Sequence, residues 1–276
     1  EQRVNTVAGE NQGERLYWVK EGWLYLQEYY VDGKKQGEER TYQAKGILRS
    51  IINYQHGHQV GLQQYFKLPG LLEEERKHDS NGREIQRIKF DNKGNVTMQV
   101  DTQYLAEGSL STEQGFTADA KLSYKYQRDS SRYWSLREKY NEAGELTYRE
   151  ELLSNQYQGL YIGPGWGGSI KRVHYVDGKM HGDYQEESED GIGFVRGKYQ
   201  HGVKVGQWLS KTRDITLTEH FNQQGQLAGE QKEVTADGTV MRLEFYKNDK
   251  LHGDYLRRNF DGQIQAKGRY VNGQRE

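Results

Sequence analysis

One peptide pattern returns along this chain at intervals of 23, 24 or 25 residues, and it limits the possible folds more than any other feature. Tyr29-Tyr30-Val31-Asp32-Gly33-Lys34-Lys35-Gln36-Gly37 reads like His174-Tyr175-Val176-Asp177-Gly178-Lys179-Met180-His181-Gly182. Lys250-Leu251-His252-Gly253-Asp254-Tyr255 echoes Lys179-Met180-His181-Gly182-Asp183-Tyr184. In register, turn positions fall at Gly9, Gly33, Gly57, Gly82, Glu107, Ser131, Asn155, Gly178, Gly202, Gly225, Asp249 and Gly273. Six of the eight glycines among them carry a second Gly four residues on: Gly13, Gly37, Gly61, Gly182, Gly206 and Gly229. A second turn follows most anchors by 12 or 13 residues, as at Asp190-Gly191, Asp237-Gly238 and Asp261-Gly262. Asp-Gly and Asn-Gly supply the positive φ that tight hairpin turns need. Each period therefore reads strand, turn, strand, turn. No stretch sustains a capped apolar pattern of period 3.6, so helix is expected only in short pieces.

The strands have a chemical reason to form. Leu, Ile, Val and Phe supply only about a fifth of the 276 residues, but the chain has 21 Tyr and 5 Trp. Tyr30, Tyr54, Tyr175, Tyr199 and Tyr270 sit three residues before a turn Gly. Tyr246 and Tyr104 hold the same slot before Asp249 and Glu107. Rings stacked once per repeat would supply apolar area and keep their hydroxyls near water. Each repeat would bury its face mainly against its neighbours.

The pattern Tyr-x-Asp-Gly-Lys-x-x-Gly-x-x-x-x-Tyr resembles the MORN repeat, in the longer bacterial variant found in antitoxin-like proteins. The matches are strongest at residues 29–46, 172–191, 197–208 and 244–262, and the repeats degenerate at about 76–160, where Glu107, Ser131 and Asn155 replace Gly. The expectation is one all-β domain over 1–276: an extended antiparallel hairpin array of period about 24, forming a twisted or curved single sheet. The structural repeat residues are Gly33, Gly57, Gly178, Gly202 and the tyrosines Tyr30, Tyr54, Tyr175, Tyr199, Tyr246 and Tyr270.

Several chemistries are excluded. No apolar run is long enough to span a bilayer as a helix. A net charge of −1 gives no general attraction to nucleic acid, and there is no Cys for disulfides or thiolate sites. Gly163-Pro164-Gly165-Trp166-Gly167-Gly168 spells G-x-G-x-x-G, but Ser169–Tyr175 reads as the next strand, so no helix N-terminus follows to meet a pyrophosphate. His56 and His201 share the repeat position before a turn Gly, His181 and His252 share the one before the second Gly, and His56 with His58 offers only two ligands. The runs Glu73–Glu75 and Glu186–Glu187 alternate between sheet faces instead of converging. No catalytic, cofactor or metal residues are expected, and the chain reads as a non-enzyme.

Glycines from Gly159 to Gly167 and Pro164 are expected to break the ladder and make a Gly-rich loop at 159–169. That loop carries Tyr161 and Trp166, and the indole either folds back to cap the sheet or projects into a partner. Tyr157, Tyr161, Pro164, Trp166 and Trp134 form the candidate partner-binding set. The resemblance implies an immunity protein or antitoxin that occludes a cognate bacterial toxin. A scaffold or membrane-proximal organiser and a carbohydrate binder or carbohydrate-processing protein are the alternatives. The sequence opens on Glu1 rather than Met, from which removal of residues ahead of it is expected. A cleaved export signal, with a lipid anchor as a further candidate, would place the protein in the periplasm; excision of a domain or tag would leave a cytoplasmic location open.

Overall fold

The computed structural model describes residues 2–3, 6–7 and 9–276, with side chains from Gly9 onward. The architecture is the expected all-β array of antiparallel hairpins, and the only helical pieces among the described residues are two 3-10 turns, Ala44–Gly46 and Trp166–Gly168. The chain forms two compact units, Glu1–Leu146 and Thr147–Glu276. In the first, strands such as Gly37–Gln43, Ile47–Gln55, Gly61–Leu68 and Leu71–His78 pair in chain order. In the second, the order Gly159–Pro164, Ile170–Val176, Lys179–Glu187, Phe194–Gln200, Val203–Lys211 does the same, and continues to Ile264–Val271. Because every strand reverses the last, turns alternate between two rims of each unit.

One rim in each unit carries tight turns at the repeat anchors. Asp32 and Gly33 have φ of 47° and 69°, and His201 and Gly202 have 49° and 92°. Two consecutive left-handed residues make the type I′ turn, whose twist matches the flanking strands. Asn155 and Asp249 replace Gly in such turns at φ 63° and 64°; short polar side chains tolerate this region. His56 and His201 are thus turn residues.

The second Gly marks a bulge. After two or three paired residues the strand breaks or shifts register, and Gly37, Gly61, Gly182 and Gly206 take φ between 65° and 80°. Gln36 N–H still reaches Tyr29 O at 2.8 Å, and Val60 N–H reaches Asn53 O at 2.8 Å. Two residues further on, a side chain fills the gap in the ladder. Gln63, which is 0% exposed, accepts the Asn53 N–H at 2.9 Å and donates to Val60 O at 3.0 Å. Trp208 in the equivalent position is buried and donates Nε1–H to Lys198 O at 3.2 Å. A bulge opens the pairing locally; at Gly61 and Gly206 the opening is closed by the buried side chain two residues on.

Successive anchors are also joined directly. Gly33 N–H donates to Asn11 O, Gly57 to Lys35 O, Gly202 to Met180 O and Gly273 to Leu251 O, all at 2.8–3.1 Å. Beside these bonds, Gln12, Gln36 and His181 accept the N–H of Asp32, His56 and His201. The positions before the second Gly therefore hold the turn of the next repeat.

The opposite rim uses a wider turn closed by a polar cap. Asp91 Oδ1 accepts N–H from Lys93 at 2.7 Å and Asn95 at 2.9 Å, with Gly94 N–H returning to Asp91 O. Asn141, Thr235 and Asn259 cap their turns alike, each three residues before a Gly. Asp79 and Asn222 bring the same turn to the first rim at Gly82 and Gly225.

The buried rows are mixed, as a thin array demands. Tyr199 lies 5.4 Å from Tyr184 and 4.9 Å from Trp208, centroid to centroid, and Tyr270 lies 4.9 Å from Tyr255. Such pairs add about 0.5–1.5 kcal/mol each beyond burial. These two anchor tyrosines therefore pack edge-on or tilted against rings of neighbouring strands. Gly197 makes room for this: a Cβ there would lie 2.2 Å from the Trp208 ring. Buried carboxylates are paired. Glu244, 1% exposed, accepts from Arg257 Nη2 at 2.6 Å and from the Tyr246 hydroxyl at 2.8 Å. Glu28 meets Lys35 Nζ at 2.9 Å. A buried charge left unpaired would be far costlier.

Candidate protein-binding turn

Residues 159–169 do not form a loop that interrupts the array. Gly159–Pro164 is a strand whose six residues pair with Ile170–Tyr175, from Gly159 opposite Tyr175 to Pro164 opposite Ile170. Pro164 ends the strand, where its lack of an N–H is tolerated. Gly163 is small for a packing reason: a Cβ there would lie 2.5 Å from the Tyr161 hydroxyl. The expected ladder failure is therefore corrected to a five-residue turn, Gly165–Ser169.

That turn is built around one carboxylate. Gly165 N–H donates to Ser169 O at 2.8 Å, and Ser169 N–H donates to Trp166 O at 3.2 Å. Trp166 N–H donates to Glu186 Oε1 at 2.6 Å. Ser169 and Tyr184 give the same carboxylate short hydroxyl hydrogen bonds. Gly165 permits the approach, since a Cβ would meet Glu186 Oε1 at 2.2 Å, and Gly167 and Gly168 hold φ of 62° and 87°. Burial opposes the charge on Glu186, but hydrogen bonds from Ser169, Tyr184 and the Trp166 N–H outweigh it and hold the carboxyl below its usual range. Burial and then Glu186 raise the Tyr184 phenol. The glycines thus belong to a turn fixed by charge-assisted hydrogen bonds.

The indole held by this turn points outward: Trp166 is 91% exposed. It does not fold back to cap the sheet. A fully exposed indole on a fixed turn can enter a partner's pocket without first being ordered, which lowers the entropic cost of binding.

The other candidates are not brought to this tip. Tyr157 and Tyr161 pack with Tyr175 at centroid distances of 4.9 and 6.2 Å, with Tyr148 6.3 Å from Tyr161 and Lys171 Nζ 4.9 Å above the Tyr161 ring. They belong to the aromatic rows of the sheet. Trp134 lies in the first unit, half-buried, opposite Asp129. The residues that build the turn, Ser169 and Glu186, are legible in the sequence only as a strand start and a surface acid. Phe260 is likewise missed. It is 96% exposed in the capped turn Asn259–Gln263, where an apolar residue between an Asn cap and Asp-Gly is the available signal.

No family model matches this chain, and no curated protein matches it. Among solved structures, a chain in "Crystal Structure of TcdB2-TccC3-Cdc42" is similar at 11% identity with a TM-score of 0.20, over 99% of this chain and 17% of that one. This chain therefore spans about a sixth of that molecule's length, and a likeness so distant carries no argument about fold or function. No helix among the described residues is long and apolar enough to cross a membrane.

Proposed function

We propose that this chain is a non-enzymatic protein-binding array, and that its partner is a bacterial toxin which it holds and occludes as an immunity protein or antitoxin. The observation that carries the binding function is Trp166, exposed on a turn that Glu186 fixes from behind. Indole anchors of this kind dominate protein interfaces, where a few large side chains supply most of the affinity. The toxin as partner is supported by the resemblance of the repeat to antitoxin-like MORN proteins, and occlusion of an active site is the mechanism that fits an inhibitor without chemistry of its own. Export to the periplasm belongs to the same proposal.

Co-expression with the product of the neighbouring gene in the source genome tests the reading. An antitoxin should relieve the growth arrest caused by that product and copurify with it in fixed ratio. A neighbouring product that is harmless to the host and does not copurify would remove the toxin from the proposal. Binding to lipid vesicles in its place would favour a membrane-proximal organiser.

A further inference from the structure

The two rims of the second unit differ in chemistry. Turn centres at 154–155, 177–178, 201–202, 222–226, 248–249 and 272–273 hold Ser, Asn, Gln, His, Gly and two carboxylates, Asp177 and Asp249, with the exposed aliphatics Leu153, Val176 and Val203 beside them and no exposed Trp or Phe. Turns on the other rim, at 165–169, 188–193, 212–214, 236–239 and 259–263, present Trp166, Ile192 and Phe260, all exposed. They also present Glu189, Asp190, Asp214, Asp237 and Asp261 against one cation, Arg213. Among the described residues none of these five carboxylates forms an ion pair. The whole chain is nearly neutral at −1, so this concentration of charge is local.

The rim is also shaped. A surface hollow of about 440 Å³ lies between its last three turns, lined by Asp214, Asp237, Asp261, Phe260, Thr239 and the buried Met241, among others. Its turns are fixed: Asp190 accepts from Ser188 Oγ at 2.6 Å and Ile192 N–H at 3.0 Å, and Asp237 accepts the Thr239 N–H at 3.1 Å. Turns on one rim are two strands apart, roughly 10 Å, so Trp166 and Phe260 are separated by at most roughly 40 Å along it. That reach suits a folded protein surface, since standard interfaces bury about 800 Å² on each side.

We infer that this acidic, aromatic rim is a docking surface for a basic protein, with Lys and Arg side chains entering the Asp214–Asp237–Asp261 hollow beside Phe260 and an apolar pocket receiving Trp166. Charge complementarity selects the partner: an exposed row of unpaired carboxylates repels acidic proteins and nucleic acid, and attracts a cationic surface at rates that fall with salt. The inference rests on the protein-binding function above and narrows its partner.

The test uses the whole chain and two labelled peptides, one alternating Lys and Leu, the other Glu and Leu, read by fluorescence anisotropy at low and physiological salt. The Lys/Leu peptide should bind, with affinity falling as salt rises. Combined Asp190→Asn, Asp214→Asn, Asp237→Asn and Asp261→Asn should weaken it at least about tenfold, and Phe260→Ala alone should weaken it several-fold. Asn keeps the acceptor oxygens of the turns, and Phe260→Ala removes only an exposed ring, so a variant that loses its thermal transition is replaced by the other. Equal binding of both peptides, or affinity unchanged in both variants, overturns the inference. So does preferential binding to phosphatidylcholine vesicles, or a dimer that Phe260→Ala dissolves. A neighbouring-gene product that binds wild type and both variants alike would leave the binding function standing and remove this rim from it.

Discussion

The Trp166 N–H and the Glu186 carboxylate, twenty residues apart, meet at 2.6 Å, and through that bond a strand of one hairpin fixes the turn of the hairpin before it. Glu186→Ala should leave the Trp166 N–H and the Ser169 hydroxyl without their acceptor. Hydrogen bonds to a charged group contribute about 1.5–3 kcal/mol, and water can replace part of it at this half-exposed site. A loss of roughly 1–2 kcal/mol in urea unfolding is expected. Glu186→Gln should recover part of it, because one oxygen remains.

Acid should act at the same place. The Glu186 carboxyl titrates below its ordinary value in the folded chain, so the unfolded state takes up the proton first. The stability it contributes is complete above the unfolded value, about pH 4.3, and is lost as pH falls through the folded value. Wild type should lose more stability than Glu186→Gln between pH 5 and pH 3, measured by denaturant midpoint.

His78 acts in the same direction for a different reason. Its Nδ1 is buried without a hydrogen-bond partner, and burial holds the imidazole below its usual range. The unfolded chain again protonates first, so folding is weakened as pH drops below about 6.5. Replacing His78 by Gln should flatten the midpoint between pH 7.5 and 5.5. A profile identical to wild type would show that His78 is solvated.

Gly197→Ala should be costly although Gly197 is an ordinary extended strand residue. Its new Cβ would overlap the Trp208 ring, which is 3% exposed and packed edge-on against Tyr199. Overpacking of this kind costs about 1–3 kcal/mol. Gly167→Ala meets no neighbour, and its cost is limited to the left-handed backbone, about 1 kcal/mol. Thermal midpoints of the two variants should rank in that order.

Much of this fold is legible in the sequence because its turns are chemically demanding. A type I′ turn needs two left-handed residues, so Asp32-Gly33 and Asp177-Gly178 announce themselves, and the bulge writes the second Gly four residues on. The buried position after each bulge leaves no such trace. Gln63, Trp208, Gln231 and Tyr255 all fill it, since burial there accepts an amide, an indole or a phenol ring alike. The capped turns have their own signal in Asp79, Asp91, Asn141, Asn222 and Asn259, each three residues before a Gly. The turn at Trp166 departs from the sequence expectation because glycine is by itself a weak strand former. At Gly163 and Gly165 glycine is required by the approach of Tyr161 and Glu186, which only the folded chain brings together.

The unit of construction is open to deletion. Removing Gly229–His252 takes out one period from bulge to bulge and joins Ala228 to Gly253 in equivalent register. The shortened protein should fold. Removing Gly229–Val240 deletes a single strand and reverses the direction of all that follows. Circular dichroism and protease resistance should separate the two; equal outcomes would contradict a 24-residue unit.

The role of the projecting indole is tested most directly by Trp166→Ala, measured twice: the thermal midpoint of the free protein, and its affinity for the copurifying neighbouring-gene product. An exposed anchor on a fixed turn requires a midpoint within about a degree of wild type and affinity weakened more than tenfold, or about 1.4 kcal/mol. A lowered midpoint with unchanged affinity would make Trp166 a structural residue and contradict the assignment.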